Sequence, residues 1–515
     1  MSDDPIAMAQ EAFREVLDLD PALPAIFFKE RTYTRGDLKA AALGLKEVVE
    51  KAGLERGAAV AWLGRNHPGM VAAELGLILA GRAICVINPH EPPPKLAAGI
   101  QKLAMPAVVA VEQDWTPELQ AAATAIGALG IEMSIGEDPP VRLRPGLETV
   151  GPGPHRTVPA GTALEMITSG TTGDPKRLPV SGLRMVRGLA LGVRKEAGGV
   201  EAAERSLKEP RTPKTSPLLL FAPMSHSSGI FNSLLGLLEA RPIALHERFS
   251  VEAWHAAVKQ YRPKVVNLVP SAILMVYDAN FPKEDLASLR VIRSGTAPLD
   301  PDLKAAFEER YGMPVLSEYG ASEFMGGITV WTLAEYEKHR NTKRGSVGRA
   351  KHDVEYKIVD QETHEPVKLG DRGLLVLKST RFATHDWITT TDLVSEDEDG
   401  YIYVHGRADQ AINRGGFKIL PEAIAEALRK HPGVKDAGVV GAKDRKLGQV
   451  PVALVEPWPD RPAPSADELM AFAKANLIGY QVPVAFEFTD ALPRTPSLKV
   501  ALPAVREILK DRYEF

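Results

Sequence analysis

Residues 166–180 read M-I-T-S-G-T-T-G-D-P-K-R-L-P-V. From Thr168 to Thr172 every residue is small, hydroxylated or both; Gly173 follows, and Lys176 comes shortly after. Such residues let backbone N–H groups approach an anion, hydroxyls add donors, and a lysine supplies a point charge to phosphate. The string directly follows the apolar run A-L-E-M-I. It fails the Walker A pattern, which places lysine straight after a glycine, because Asp174 and Pro175 intervene. Alone, a loop of this spacing reads as readily as a surface turn with a nearby lysine, so its meaning depends on the rest of the chain.

Around it, short apolar runs alternate with helix-like stretches. A-A-V-A-W-L, A-I-C-V-I-N, P-A-V-V-A-V, P-L-L-L-F-A-P and V-V-N-L-V-P are continuous runs flanked by glycine or proline. Runs of that kind indicate strands covered on both faces, hence an α/β architecture. After about residue 345 the texture changes. V-E-Y-K-I-V-D, G-L-L-V-L-K and G-Y-I-Y-V-H alternate like antiparallel strands with polar turns between them. From residue 411 a glycine turn, a helix, two strands, another helix and a tail follow, a separate α+β unit of about a hundred residues. Residues 198–216, polar and proline-bearing, read as a mobile surface loop. No fixed-period repeat is present, which excludes solenoids and propellers.

Composition narrows the function classes. Of 515 residues, 44% are hydrophobic and 25% charged, the balance of a folded protein with more than one core. A net charge of −4 gives no field that favours nucleic acid or an anionic membrane. Cys85 is the one cysteine, which excludes an internal disulfide framework and a cysteine-rich zinc site; its apolar surroundings mark an inert core thiol. The N-terminal M-S-D-D-P has acids where a secretion signal needs bases, and no run reaches the length of a membrane span. The C-terminal R-Y-E-F is no targeting address, and a soluble cytoplasmic protein is expected.

T-S-G-T-T-G-D-P-K resembles the phosphate-gripping signature of the adenylate-forming enzymes: acyl- and aryl-CoA ligases, luciferases and peptide-synthetase adenylation domains. Further motifs of that family follow in its order. Residues 294–299, S-G-T-A-P-L, are similar to the loop lying against adenine, and residues 318–323, E-Y-G-A-S-E, to its Y-G-x-[ST]-E. T-T-D at 390–392 with D-G-Y at 399–401 resembles the T-G-D segment and its turn, and G-R-A-D at 406–409 the domain junction. G-G-F-K-I-L-P at 415–421 resembles the small domain's glycine turn, and P-R-T-P-S-L-K at 493–499 the tail with the catalytic lysine. The resemblance spans nearly the whole chain. It implies an N-terminal adenylating domain over 1–407, built of layered α/β sheets plus a β-barrel-like subdomain, and a small mobile α+β domain over 408–515.

The family's chemistry then assigns roles. A carboxylate attacks the α-phosphorus of ATP, giving an acyl-adenylate and pyrophosphate; a thiol, usually that of CoA, then displaces AMP. Neither step needs a protein nucleophile, so the work is positioning and charge neutralisation. By resemblance, Lys499 bridges carboxylate and α-phosphate, while Thr168, Ser169, Gly170, Thr171, Thr172, Gly173 and Lys176 grip the other phosphates. Glu323 holds Mg²⁺, a hard cation suited to carboxylate and phosphate oxygens. Gly295, Thr296, Ala297, Glu318, Tyr319, Gly320 and Ser322 surround adenine; Asp392 accepts from the ribose hydroxyls, and Arg407 faces ribose or phosphate. Asp409 is the hinge about which the small domain swings. After the swing Arg414, Gly415 and Gly416 line the pantetheine tunnel. Lys418 and Arg414 meet CoA phosphates or form a solvated face. His226, with Ser227, Met325 and Gly327, lies beside the acyl group.

The chain departs from the family at Thr391, which replaces the glycine of T-G-D, and at Arg177-Leu178 after Lys176. It departs again at Ala423, where glutamate is expected, and at Ser497-Leu498 before the tail lysine. None removes a charged catalytic group. The expected reaction joins a carboxylic acid to CoA with ATP and Mg²⁺, in a monomer or homodimer without nucleic-acid or membrane partners. Carrier-protein loading, β-lactone closure or luciferase-like oxidation are other outcomes of the same adenylate. A non-catalytic nucleotide-binding homologue is the reading from another class. Ser227, Ser228 and nearby glycines favour an aryl or medium-sized acid over a long chain.

Overall fold

In a computed structural model of the chain, three of the five continuous apolar runs are strands buried on both faces, while Leu218–Leu220 is partly buried and Val265–Asn267 is exposed at Val265 and Asn267. Ala59–Leu63, Ala83–Ile87 and Ala107–Ala110 have every residue buried. The structure describes residues 5–168, 176–193, 200–321, 324, 326–382, 386–415 and 417–515. Ser169, Gly170, Thr171, Thr172, Gly173, Ser322, Glu323, Met325 and Gly416 lie outside the described residues, as do the side chains of Thr168, Lys176 and Lys418.

The largest sheet has seven strands in the order Val141–Leu143, Leu129–Met133, Ala107–Ala110, Ala59–Leu63, Ala83–Ile87, Thr162–Thr168 and Lys176–Ser181. Inner neighbours pair in parallel and both edge pairs are antiparallel. The two strands flanking the phosphate signature are one such edge pair, with Thr168 opposite Lys176. That arrangement differs from the strand-to-helix turn of a Walker loop. Cys85 is fully buried here, and burial, with Glu165 nearby, pushes its thiol up to about 12.

Every residue of the helix Pro68–Ala80 is buried. His67 caps its start through Gly69, Pro68 sits at its first position, and Gly81, at φ 67, ends it in the left-handed region. Its one polar residue is Glu74. Burial raises that carboxyl well above the usual range, and Ser233 donates to it at 2.6 Å. A neutral acid hydrogen-bonded to a hydroxyl removes the cost of a buried charge.

A second sheet combines Leu218–Leu220, Ile243–Leu245, Pro24–Phe28 and Arg31–Thr34. A third holds Val265–Asn267, Val291–Ser294 and Val315–Ser317 in parallel. The β-rich stretch beyond 345 is an antiparallel meander of Val354–Val359, Gly373–Ser379, Ile388–Glu396 and Ile402–Arg407. In the last part of the chain, Ile412–Arg414, Phe417–Ile419, Val434–Asp444, Gly448–Pro457 and Ala485–Phe488 form a further sheet. The amphipathic helix Pro421–Arg429 and the helix Ala466–Asn476 bury Ile424, Leu428 and Leu469 against one of its apolar clusters, and Leu502–Leu509 buries Val505 and Leu509 in another. No helix among the described residues is long and apolar enough to cross a membrane.

The expected surface loop over 198–216 is corrected in part. Val200–Arg205 is helical and Ser206–Lys208 a 3-10 turn. Val200, Ala203 and Leu207 are buried there, and Glu204 pairs with Arg187 at 2.8 Å. Those apolar positions have the spacing of one helix face, a signal that the polar composition of the segment masked.

Candidate active site

The functional residues gather where parallel strands end, the usual ligand position in such sheets. Val291–Ser294 runs directly into Gly295-Thr296-Ala297, and its neighbour Val315–Ser317 into Glu318-Tyr319-Gly320. A Cβ on Gly295 would stand 3.1 Å from the Glu318 carbonyl oxygen, so the two loops touch only because this position is glycine. Thr296 takes φ 72, a left-handed conformation uncommon for a β-branched residue and of the sort held at binding loops.

Both loops face a cleft of about 2300 Å³ reaching from the large sheets to the C-terminal tail. Gly295, Thr296, Ala297, Glu318, Tyr319, Gly320, Asp392, Arg407, Asp409, His226, Ser227, Gly327 and Lys499 all line it. Sequence separations of up to 273 residues, His226 to Lys499, are thus closed in one space.

Tyr319 and Asp392, expected at the nucleotide, meet at one end of the cleft. The Tyr319 hydroxyl donates to Asp392 Oδ2 at 2.5 Å, while the Tyr319 N–H donates to Thr329 Oγ1 at 2.8 Å. Asp392 lies within Ile388–Glu396, paired opposite Arg407 of the last meander strand. Thr391 occupies a strand position, where a β-branched residue is at ease, which accounts for the loss of the family's glycine. Arg407 grips Asp409 with two bonds, 2.9 Å from Nε and 2.6 Å from Nη2. Beside them Glu422 is a residue that sequence reasoning passed over. Its Oε2 is buried without a hydrogen-bond partner among the described residues, and burial raises its carboxyl next to Arg407, Asp409 and Asp392.

His226 precedes the helix Ser227–Leu238. Gly229 lets this helix start close against the preceding turn, since a Cβ there would fall 2.1 Å from the Pro223 carbonyl oxygen. Burial lowers the His226 imidazole, and the positive charge of Lys499 lowers it further, so it is neutral at pH 7. That second cause places Lys499 within electrostatic reach of His226.

The tail loop holding Lys499 closes on itself. Thr495 N–H donates to the Lys499 carbonyl at 2.8 Å, and Lys499 N–H to Thr495 Oγ1 at 3.2 Å. Leu498 adopts φ 62, a conformation that costs a non-glycine residue roughly 1–2 kcal/mol and explains why glycine is frequent near here in the family. Docking offsets that cost. Leu498 packs against the cluster containing Trp254, Ile273 and Phe307, and its carbonyl accepts from Ser271 Oγ at 3.1 Å.

Arg414 and Gly415 do not line the cleft. Arg414 donates to the carbonyls of Tyr480 and Val482, at 2.8 and 3.1 Å, and Gly415 N–H to that of Leu447 at 2.7 Å. The metal ligand expected at Glu323 lies outside the described residues, and among the described residues no group of three His, Cys, Asp or Glu could hold an ion.

The fold is that of the adenylate-forming enzymes. The chain belongs to the AMP-binding enzymes: the family's main domain matches residues 13–384, and the AMP-binding enzyme C-terminal domain matches residues 423–499. It is 27% identical over 518 residues to an indoleacetate–CoA ligase of Aromatoleum aromaticum, covering 95% of this chain and 96% of that protein. It is 32% identical over 361 residues to a sulfoacetate–CoA ligase of Cupriavidus necator, covering 66% of each. The ATP-bound crystal structure of MatB from Rhodopseudomonas palustris superposes with a TM-score of 0.79 at 22% identity, over 98% of this chain and 100% of that one.

Proposed function

We propose that this cleft activates a carboxylic acid with ATP and transfers the acyl group to CoA through the residues gathered in it. The carrying observation is the docked tail: Lys499 lies in the same cleft as Tyr319, Asp392 and His226, and its charge reaches the imidazole. That is the arrangement the first half-reaction needs. Asp392, oriented by Tyr319, accepts from the ribose hydroxyls; Tyr319 offers its ring face to adenine between the 295–297 and 318–320 loops; Arg407 stands at the ribose or phosphate side. Lys499 neutralises the charge that builds as the carboxylate oxygen attacks the α-phosphorus. Thr168–Gly173 and Lys176 hold the remaining phosphates. Mg²⁺ at Glu323 would supply further neutralisation of phosphate charge when bound.

For the second half, the domain of residues 408–515 rotates about Asp409, withdrawing Lys499 and bringing Arg414, Gly415, Gly416 and Lys418 to the thiol substrate. Arg414 and Gly415 lie off the cleft in the present pose, as this cycle requires. The enzyme works in the cytoplasm as a monomer or homodimer.

A panel of carboxylic acids in ATP–pyrophosphate exchange tests the reading. Acid-dependent exchange and CoA-dependent AMP release are expected; AMP release indifferent to CoA would sink the ligase assignment. The hinge has its own test. Asp409 sits in the 3-10 turn Ala408–Gln410 directly after Ile402–Arg407, and proline would fix φ where rotation must be absorbed. Asp409→Pro is expected to slow thioester formation at least about tenfold while exchange stays near wild type. Equal loss of both halves, measured separately, would refute the hinge.

A further inference from the structure

Beyond His226 and Gly327, the cleft wall includes Phe231, Gly326, Lys351 and Arg381, an arm outside the family motifs. The Phe231 ring stands between two glycines: a Cβ on Gly192 would meet it at 3.1 Å, and one on Gly326 at 3.7 Å. The same Cβ position at Gly326 is 3.8 Å from Arg381 Nη1, which also donates to the Gly327 carbonyl at 3.3 Å. The arm therefore runs past an aromatic wall and ends among charges.

Those charges do not cancel. Arg381 and Asp353 are a closed pair with side chains 2% and 3% exposed, bonded through Nε and Nη2 at 2.8 and 3.0 Å. Ser379 donates to the same Asp353 carboxylate at 2.7 Å. Arg293 faces Glu318 at 3.9 Å, and the Glu318 carboxylate lies 3.6 Å from where a Cβ on Gly327 would sit. Into this group comes Lys351, held beside Gly327 by its N–H bond to the Ile328 carbonyl at 2.9 Å. Its side chain lines the cleft. Among the described residues its ammonium makes no hydrogen bond and no ion pair within 4.0 Å. Among the described residues, Lys351, Arg381 and Arg293 thus stand against Asp353 and Glu318, one cation in excess. Burial first, then Arg381, brings the Lys351 amine down to about 8, so it is still mostly protonated at neutral pH. Lys351 is half-buried on the cleft wall, and a partly desolvated ammonium with no counter-charge among the described residues is completed by an anionic ligand group.

We propose that the acid activated here carries a second anionic group, a carboxylate or a sulfonate, at the end remote from the reacting carboxylate, and that Lys351 receives it. This rests on the reading of the cleft as the acid's site. Arg381, already committed to Asp353, shapes the floor; Lys351 is the charge left for the ligand. Without that second anion, the bound acid takes water from the ammonium and returns no counter-charge, so discrimination comes from the protein as much as from the contact.

The test is ATP–pyrophosphate exchange with three sets of acids matched in chain length: ω-carboxylates, ω-sulfonates and methyl-ended acids. One anionic set is expected to exceed the methyl-ended set in kcat/KM by roughly 10- to 100-fold, mainly through KM. The better of the two identifies the group. Lys351→Met should erase that preference while leaving kcat with methyl-ended acids intact, and Lys351→Arg should keep much of it. Lys351→Met should also melt no lower than the parent, whereas a purely structural lysine would lower the melting point. A parent enzyme that favours methyl-ended acids, or a Lys351→Met variant that loses all sets equally, overturns the assignment. Exchange with no acid of any set would instead remove the ligase reading beneath it.

Discussion

Lys499→Ala is expected to lower acid-dependent ATP–pyrophosphate exchange by about 10²-fold or more, because it removes a charge made useful only as the phosphorus gains negative charge. The loop itself should survive. Its internal bonds are from Thr495 to the backbone of residues 498 and 499, and its anchor is Leu498, through Ser271 Oγ and the apolar cluster around Trp254. None of these bonds uses the Lys499 side chain, so they remain in the variant. Thioester formation from acyl-adenylate supplied ready-made should stay within a few-fold of wild type, since by then the tail has left the cleft. A second readout needs no turnover. Lys499 depresses the His226 imidazole, so in Lys499→Ala that imidazole should titrate at higher pH, visible by NMR. Exchange within tenfold of the parent would remove Lys499 from the chemistry. An unmoved His226 would show that the tail is not docked in solution.

The parts legible in the sequence are those with a local cause. Continuous apolar runs such as A-I-C-V-I-N foretold strands buried on both faces, because burial on two sides demands it. The small residues of T-S-G-T-T-G suggested an anion holder, but gave no sign that the flanking strands are an antiparallel edge pair, since that depends on the pairing of Thr168 with Lys176. Thr391 and Leu498 looked like anomalies in the motifs. One is an ordinary strand residue, and the other keeps a left-handed backbone that tertiary packing of its side chain offsets. Lys351, Arg381 and Glu422 gave no signal at all. A lysine in R-A-K-H-D is a surface residue by any local rule; its excess charge exists only because the topology sets Asp353 against Arg381 and Glu318 near Arg293. Selectivity was hidden for the same reason that chemistry was visible: the reacting groups recur in motifs, while the arm holding the rest of the acid is assembled from distant strands.

Asp353→Ala is expected to destabilise the protein by roughly 3–5 kcal/mol, the cost of leaving a buried guanidinium without its partner. Arg381 and Asp353 are 2% and 3% exposed, so solvent does not screen them and water cannot replace the carboxylate. Burial alone would raise the Asp353 carboxyl; the hydrogen bond and charge of Arg381, with help from Ser379 and Lys351, more than reverse that and hold it below the usual range. A carboxyl depressed in the folded state adds stability that is complete above its unfolded value of roughly 4 and is lost as pH falls through the lower folded one. The excess loss in Asp353→Ala should therefore be full at pH 7 and shrink in strong acid. Because the chain has more than one core, the measure is the urea midpoint of the transition that reports the 354–407 meander, not a single global free energy. The double variant Asp353→Ala/Arg381→Met should recover most of the loss, as an apolar side chain fills the space without an orphaned charge. Lys351 sharpens the outcome: with Asp353 gone its ammonium and the Arg381 guanidinium repel across the same arm, so an acid bearing a second anion should rescue the single variant more than a methyl-ended one. A single variant within about 1 kcal/mol of the parent, or a double variant no better than the single, would show that the pair is not the electrostatic closure of this pocket.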